Sequence, residues 1–214
     1  MPLVLHQNIN DSTSLGIWKI TESAGRLTEA LLLDEDDKQY VGTFKNESRK
    51  RHWLSYRLIL RKLLPSTNTK IVYDEYGKPY MPFYKGNFSV SHSVDYAAAI
   101  VSSDLEVGID IEKIGDRIKR VAERFLSPDE LSWTGNSDPA EKLLICWGAK
   151  ESIYKIAGKP DADFQKDIRI EPFDYLCIGE GACQAGMKTT GKLHHFDVFY
   201  RKIEDYMLVW AVQK

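Results

Sequence analysis

The chain has 214 residues, of which 43% are hydrophobic and 28% are charged, and its formal net charge is -2. This near-neutral globular composition offers no support for a nucleic acid partner, and no apolar run is long enough to be a signal peptide or to span a bilayer. The three cysteines lack the spacing of metal ligands or of a disulfide framework. We therefore expect a cytoplasmic protein without a membrane or nucleic acid partner.

The first half of the sequence predicts strands around one long helix. "LGIWKITES" predicts a strand, and residues 47–64 predict a basic amphipathic helix that ends before Pro65. "IVYDEYGKPYMPF" contains a strand and a Gly-Lys-Pro turn, and "NFSVSHSVDYAAAIVSS" predicts strands over 88–91 and 96–102. A solvated surface explains the basic face of the helix as well as an anion-binding surface does.

The second half predicts strands and helices in a different order. "VGIDIEKI", residues 107–114, predicts a strand, followed by helices over 117–125, from "SPDE" onward, and from about 139 to 157. The tail adds strands, notably "HHFDVFYRKI" and "YMLVWAVQ". This irregular alternation predicts an α+β fold with two halves of similar size, residues 1–104 and 105–214.

Two carboxylates within the predicted strand 107–114 raise an electrostatic question. Asp110 and Glu112 are two residues apart, so their side chains point to the same face of the strand. Two neighbouring negative charges flanked by core residues are costly unless a positive group lies between them. The pair therefore predicts a cation site.

A third carboxylate comes from the last predicted helix. Leu143, Trp147, Glu151 and Lys155 are spaced by four and share one face, which places Glu151 at the edge of the buried surface. One interpretation is an exposed Glu151–Lys155 pair, worth only about 0.3–0.5 kcal/mol. The other is an oxygen-ligand site for Mg²⁺, completed by Asp110 and Glu112 and suited to phosphate or pyrophosphate chemistry.

Four motifs carry a resemblance to a known family. "YGKPYMP", "FSVSHS", "VGIDIE" and "WGAKESIYK" resemble, in order and spacing, the signature of 4′-phosphopantetheinyl transferases of the surfactin-synthetase-activating type. The resemblance covers roughly residues 49–159. It implies a Mg²⁺-dependent monomer that transfers 4′-phosphopantetheine from coenzyme A to a serine of an apo acyl or peptidyl carrier protein. It also implies two α+β halves in a pseudo-twofold arrangement, with the active site in the cleft between them.

The resemblance also implies roles for individual residues. Asp110, Glu112 and Glu151 would hold Mg²⁺, and Glu151 or a metal-bound water would take the proton of the carrier serine. Lys150 would steady the pyrophosphate, and Glu130 matches an acidic position near the site. The remaining matches are expected to bind coenzyme A, with His92 at its 3′-phosphate: Arg51, Arg57, Lys78, Ser91, His92 and Lys155.

Several residues keep a structural alternative. Glu130 completes a capping box with Ser127 in "SPDE", and His92 suits a turn that caps a hairpin. Arg51 and Arg57 match the family more loosely, and either suits a plain surface position. Gly148 stands where the family usually carries Ser, Thr, Ala or Cys; a helical glycine costs ~1 kcal/mol relative to alanine and permits a close approach.

Two other functions are compatible with the same motifs. A protein that binds coenzyme A or a nucleotide without catalysis would use the phosphate contacts alone, although binding needs hydrogen-bond donors rather than three acids. A Mg²⁺-dependent phosphohydrolase would transfer the phosphoryl group to water. Incubation with coenzyme A, Mg²⁺ and an apo carrier separates these possibilities.

Overall fold

The computed structural model describes residues 3–31, 33–65, 67–75, 77–134, 139–158, 162–189 and 191–214. Its strands are β1 (Leu3–Asn8), β2 (Thr13–Lys19), β3 (Val72–Tyr73), β4 (Pro79–Tyr80), β5 (Asn87–Ser93), β6 (Tyr96–Ser102), β7 (Val107–Lys113), β8 (Ile168–Ile170), β9 (Glu180–Thr189), β10 (Lys192–Ile203) and β11 (Tyr206–Gln213). Its α-helices are α1 (Ala24–Leu31), α2 (Glu35–Gly42), α3 (Glu47–Leu63), α4 (Pro128–Thr134) and α5 (Ala140–Ala157). A 3₁₀ helix spans Ile118–Arg124.

Two antiparallel sheets organise the molecule. The first has the strand order β1-β2-β6-β5, the second has the order β7-β11-β10-β9-β8, and β3 and β4 form a separate hairpin. Helices α3 and α5 each cover one face of a different sheet. The mixed α and β composition predicted from the sequence is confirmed. Within the described ranges, no helix has the length and apolar character needed to cross a bilayer.

The two long helices form where the sequence predicts them, for local reasons. The side chain of Asn46 caps α3 by accepting the backbone N–H of Arg49 at 3.1 Å, and the helix ends before Pro65. Helix α5 ends at Gly158, whose φ of 60° is the left-handed conformation that glycine adopts most easily. Both helices therefore have fixed ends and present an apolar face to their sheets.

Strand β6 supplies both sides of the core because side chains alternate along a strand. Ala97 and Ala99 pack in the cluster that contains α3, whereas Ala98 and Ile100 pack in a cluster shared with β7 and β11 of the second sheet. All four side chains are completely buried. This shared cluster holds the two sheets together and fixes the position of β7 beside β5.

The edges of the two sheets meet through side chains rather than through a backbone ladder. Strands β5 and β7 are edge strands of their own sheets and lie in contact. Three serine hydroxyls on one face of β5 accept backbone N–H groups of β7 at 3.2–3.3 Å: Ser89 from Ile109, Ser91 from Ile111 and Ser93 from Lys113. We call this contact the serine seam. It places the carboxylates of β7 directly beside β5.

Candidate active site

Asp110 lies at the centre of the site, buried on β7. Its Oδ1 atom accepts hydrogen bonds from Oγ of Ser91 at 2.8 Å and from Nζ of Lys155 at 2.9 Å. Its Oδ2 atom is buried and has no hydrogen-bond partner among the described residues. The positive group that the sequence requires between its acids is thus, in part, the ammonium group of Lys155.

The other two predicted acids, Glu112 and Glu151, are half-buried beside Asp110. Burial raises the pKa of Glu112, and repulsion from Asp110 raises it further. Burial also raises the pKa of Glu151; Lys155 opposes this effect, and repulsion from Asp110 and Glu112 adds to it. The structure therefore brings the three acids within electrostatic reach of one another, where a cation would relieve their repulsion.

The donor atoms fit a hard divalent cation, although no ligand cluster is preassembled. No group of three His, Cys, Asp or Glu side chains in the described ranges is already arranged as a metal site. Asp110 nevertheless offers a buried carboxylate oxygen that is not paired with any described residue, and oxygen is the ligand that Mg²⁺ prefers. An unpaired buried carboxylate oxygen is costly, and a cation would satisfy it.

Lys155 and Lys78, which the family resemblance assigns to phosphate binding, both lie near the C-terminal end of α5. Nζ of Lys155 also donates to the carbonyl oxygen of Ile109 at 2.8 Å, and Nζ of Lys78 donates to that of Ile156 at 3.0 Å. Both side chains line a cavity of about 270 Å³ between α5 and the β3–β4 hairpin. Two ammonium groups at one cavity suit a ligand with several phosphates.

His92 lies on β5 and stacks on a second histidine that the sequence did not single out. The rings of His92 and His52 are parallel within 10°, with centroids 4.2 Å apart. Desolvation by the surrounding groups, followed by repulsion from His52 and Lys155, lowers the pKa of His92 to about 4, although the side chain keeps an exposed face. His52 belongs to the basic helix α3, and no spacing in the sequence marks it as a partner of His92.

The turn after β5 is held by His52 and not by His92. Nε2 of His52 donates to the carbonyl oxygen of Val94 at 2.9 Å. Val94 has a φ of 45°, which is strained for a β-branched residue, so this hydrogen bond stabilises an unfavourable backbone. The hairpin turn therefore has a histidine partner other than His92, the residue proposed from the sequence as its cap.

Ser91 makes contacts that the sequence did not predict. The sequence predicts that it contacts coenzyme A beside His92, whereas its hydroxyl is buried in the serine seam and donates to Asp110. Ser93, which the sequence analysis did not select, donates in the same way to Oε2 of Glu112 at 3.0 Å. The serines of "SVSHS" occupy alternate positions, and this spacing already indicated that they share one face of the strand.

Lys150 and Glu130 are both buried and are bonded to each other. Nζ of Lys150 donates to Oε2 of Glu130 at 2.8 Å and to the carbonyl oxygens of Phe164 and Ile168 at 2.7 and 2.6 Å. These bonds use all three hydrogens of the ammonium group. Burial lowers the pKa of Lys150, which Glu130 partly offsets. A contact between Lys150 and pyrophosphate does not fit this position.

Glu130 forms the capping box that was the alternative to a catalytic role. Its Oε2 accepts the backbone N–H of Ser127 at 2.7 Å, and the hydroxyl of Ser127 accepts the backbone N–H of Glu130 at 3.3 Å. Its Oε1 accepts the backbone N–H of Ile170 at 2.8 Å. Glu130 thus ties α4, α5 and β8 together, and it is 1% exposed.

The two arginines of α3 that the family resemblance selects differ in their surroundings. Arg57 is buried, with its guanidinium carbon 3.4 Å from the centroid of the Trp53 ring and Nη1 donating to the hydroxyl of Tyr56 at 2.6 Å. It is a core residue of the first half, so the predicted nucleotide contact does not fit. Arg51 is half-buried, and its role stays a prediction.

Two glycines let α5 approach the strands closely enough to complete the site. A Cβ atom on Gly108 would fall on the backbone carbonyl of Ser152 in α5. A Cβ atom on Gly148 would lie 2.7 Å from Cγ2 of Val209 and 3.6 Å from Oδ2 of Asp110. The close approach predicted for Gly148 is therefore present, and it brings α5, which carries Glu151, against Asp110.

Comparison with known proteins gives one family. The sequence profile of the 4′-phosphopantetheinyl transferase superfamily matches residues 106–201, which include β7 and α5. The chain is 32% identical over 111 residues to "4′-phosphopantetheinyl transferase gsp" of Aneurinibacillus migulanus, covering 48% of this chain and 46% of that protein. It is 39% identical over 89 residues to a "4′-phosphopantetheinyl transferase" of Bacillus subtilis, covering 40% and 39%.

A third relative matches over a longer stretch. The chain is 33% identical over 146 residues to "4′-phosphopantetheinyl transferase AcpT" of Salmonella typhi, covering 64% of this chain and 70% of that protein. The matched segment thus spans less than half of the first two relatives and more than two thirds of the third. The residues that the family profile matches, 106–201, include all three acids of the candidate site.

Proposed function

The chain belongs to the 4′-phosphopantetheinyl transferase superfamily, and from this membership we propose that it transfers the 4′-phosphopantetheine arm of coenzyme A to a carrier protein. The acceptor is a serine of an apo acyl or peptidyl carrier. The serine oxygen forms a bond to the β-phosphorus of coenzyme A, the bond from that phosphorus to the bridging oxygen breaks, and 3′,5′-ADP leaves. The single observation that carries the proposal is Asp110, a buried carboxylate beside two further acids.

Asp110, Glu112 and Glu151 are the residues proposed to hold Mg²⁺. When bound, the cation would neutralise the negative charge of the diphosphate group. The protein binds the phosphates of coenzyme A through Lys78 and Lys155, whose side chains line one cavity. His92 is proposed to lie at the 3′-phosphate, because it directly follows on β5 the residue Ser91, whose hydroxyl donates to Asp110.

The attacking hydroxyl is supplied by the carrier, so the chain needs a base but no nucleophile of its own. Glu151 is the proposed base. Burial and its acidic neighbours raise the pKa of its carboxyl group, which makes it a better proton acceptor than an exposed glutamate. Its position on α5 places it at the same site as the acids of β7.

A groove beside Glu112 is the proposed approach of the carrier. It has a volume of about 750 Å³, an apolar floor that includes Val121, Phe125 and Trp147, and Arg117 and Arg124 in its lining. A basic rim around an apolar floor suits an acidic helical carrier. Reversing both arginine charges should therefore raise the KM for the carrier and leave the KM for coenzyme A unchanged.

We also propose that residues 1–104 and 105–214 are two halves related by a pseudo-twofold axis, with the active site in the cleft between them. The presence of one sheet and one long helix in each half supports this arrangement. A monomer in the cytoplasm is proposed as well. Its support is that the proposed ligands come from one chain and that the three cysteines are free thiols.

The test is a transfer assay with a panel of apo carrier proteins. The protein is incubated with coenzyme A, MgCl₂ and each carrier, and the carrier mass is measured. A gain equal to one phosphopantetheinyl group is expected for at least one carrier. Asp110→Asn keeps the side-chain shape and should abolish the gain while the unfolding temperature stays near that of the wild type. Release of phosphate without any carrier modification would instead indicate the hydrolase.

A further inference from the structure

We propose that Ser91 and Ser93 are positioning residues that hold the carboxylates of Asp110 and Glu112 in the orientation needed to bind a divalent cation. The inference rests on the proposed function, which makes these two acids cation ligands. It goes beyond that function because it assigns the cation affinity partly to hydroxyl groups of the opposite sheet. Strand β5 thereby contributes to a site whose ligands belong to the other half of the chain.

Each hydroxyl is fixed by two hydrogen bonds of opposite direction. A serine hydroxyl donates one hydrogen and accepts others. Oγ of Ser91 accepts the backbone N–H of Ile111 at 3.3 Å and donates to Oδ1 of Asp110 at 2.8 Å. Because the N–H group occupies the acceptor side, the hydroxyl hydrogen is directed toward the carboxylate. The group that donates to the hydroxyl and the group that accepts from it thus lie on neighbouring residues of β7.

Ser93 repeats the same geometry two residues further along both strands. Its Oγ accepts the backbone N–H of Lys113 at 3.3 Å and donates to Oε2 of Glu112 at 3.0 Å. The indole of Trp147 lies close enough to Glu112 to favour its charged form. A glutamate has more rotatable bonds than an aspartate, so it loses more freedom when it is held. Ser93 therefore pre-orders the ligand that would otherwise be more mobile.

The hydroxyl of Ser91 also determines which oxygen of Asp110 remains for a cation. Oδ1 is occupied by Ser91 and Lys155. Oδ2 is buried, unpaired with any described residue, and faces α5 beside Gly148. Glu151 lies on the same helix, one turn beyond that glycine. The oxygen that remains thus faces the element that carries the third proposed ligand.

Ser89 provides a matched control within the same seam. Its hydroxyl accepts the backbone N–H of Ile109 at 3.2 Å, in the same register as the other two serines. The residue that precedes Ile109 is Gly108, which has no side chain to receive a hydrogen bond. Ser89 therefore joins the two sheets without contacting a carboxylate. A purely structural seam would make the three serines equivalent.

The experiment measures cation binding directly. The full chain is saturated with coenzyme A and titrated with MnCl₂, with free Mn²⁺ followed by electron paramagnetic resonance. Ser91→Ala and Ser93→Ala should each weaken binding by about 10-fold or more, the usual effect of removing a group that orients a metal ligand. Ser89→Ala should change the dissociation constant less than about twofold, and Ser93→Thr, which keeps the hydroxyl, should restore binding.

The outcomes separate this inference from the proposed function. Equal Mn²⁺ affinities in all three alanine variants, or an equal loss in all three, would overturn the positioning role while leaving carrier modification by the wild type intact. A serine-dependent Mn²⁺ site in a protein that modifies no apo carrier would support the inference and refute the function. If Ser91→Ala does not fold, the comparison of Ser93→Ala with Ser93→Thr, at a half-buried position, tests the positioning role. A wild-type chain that binds no Mn²⁺ would refute both.

Discussion

A variant of the buried Lys150–Glu130 pair tests whether Lys150 stabilises the fold or contacts the pyrophosphate, as the family resemblance implies. Lys150→Met keeps the length and apolar stem of the side chain and removes its charge. Three hydrogen bonds are lost, and Glu130, which is 1% exposed, keeps its negative charge with only two backbone donors. Breaking a buried ion pair from one side costs about 3–5 kcal/mol.

In a chain of this length that cost should lower the unfolding temperature by roughly 6–20 °C. The measurement is thermal unfolding of the ligand-free protein, followed by circular dichroism. Lys166→Met is the matched control, because Lys166 forms an exposed pair with Asp163 and is 80% exposed. Surface pairs contribute about 0–1 kcal/mol, so this variant should unfold near the wild-type temperature.

A double variant refines the same test. Lys150→Met combined with Glu130→Gln removes both buried charges and keeps one side-chain oxygen as an acceptor. The double variant should therefore be more stable than Lys150→Met alone, since the uncompensated charge is gone. If Lys150→Met unfolds at the wild-type temperature but binds coenzyme A more weakly, Lys150 contacts the ligand and the structural reasoning is refuted.

Three further predictions concern other parts of the molecule. Gly108→Ala should destabilise the fold by about 1–3 kcal/mol or more in urea unfolding, because its Cβ would meet a backbone carbonyl, whereas Gly115→Ala, with no described atom within 4 Å of the added carbon, should be neutral. The pKa of His92 is lowered to about 4, so the folded state favours the neutral ring. Because the side chain is exposed, solvent screening keeps the resulting stability small; it is present above pH 6.5 and is lost as the pH falls toward 4. His92→Gln should thus lose less stability than the wild type over that range, with His195→Gln as control; a curve parallel to the wild type would contradict this. Arg57→Met should lower stability by about 2 kcal/mol, from the loss of a desolvated cation–π contact. It should leave the KM for coenzyme A unchanged, and a rise in that KM would place Arg57 at the ligand.

Local signals in the sequence predicted helices α3, α4 and α5, strands β5, β6 and β7 and the last two strands at or near their positions, whereas β1, α1 and α2 were not predicted. The alternation of Val107, Ile109 and Ile111 places Asp110 and Glu112 on one face whatever the strand packs against. Helices α3 and α5 were predicted in the same way, because the spacing of their apolar residues and the residues at their ends are visible in the sequence. The capping box "SPDE" was equally legible, and it correctly described the contacts of Glu130.

The motif assigned phosphate contacts to both Lys150 and Lys155, and it did not show which of the two faces Asp110. Five residues along a helix correspond to a rotation of about 140°, so the two side chains cannot both face Asp110. Lys150 follows Cys146 by one turn and precedes Ile153, both completely buried, which is a sign that it points inward. A lysine in an apolar stripe is costly without a partner, and its partner Glu130 lies twenty residues away.

By itself, the sequence determined the two long helices and most of the strands, the acids of β7 and α5, and the family that these motifs resemble. Only the tertiary structure decided that the edges of two sheets meet at the serine seam, that His52 stacks on His92, and that Lys150 is internal. The physical reason is the range of the interactions. Helix and strand periodicity depends on neighbours within a few residues, whereas the contacts between β5 and β7 depend on how two separately formed sheets share one core.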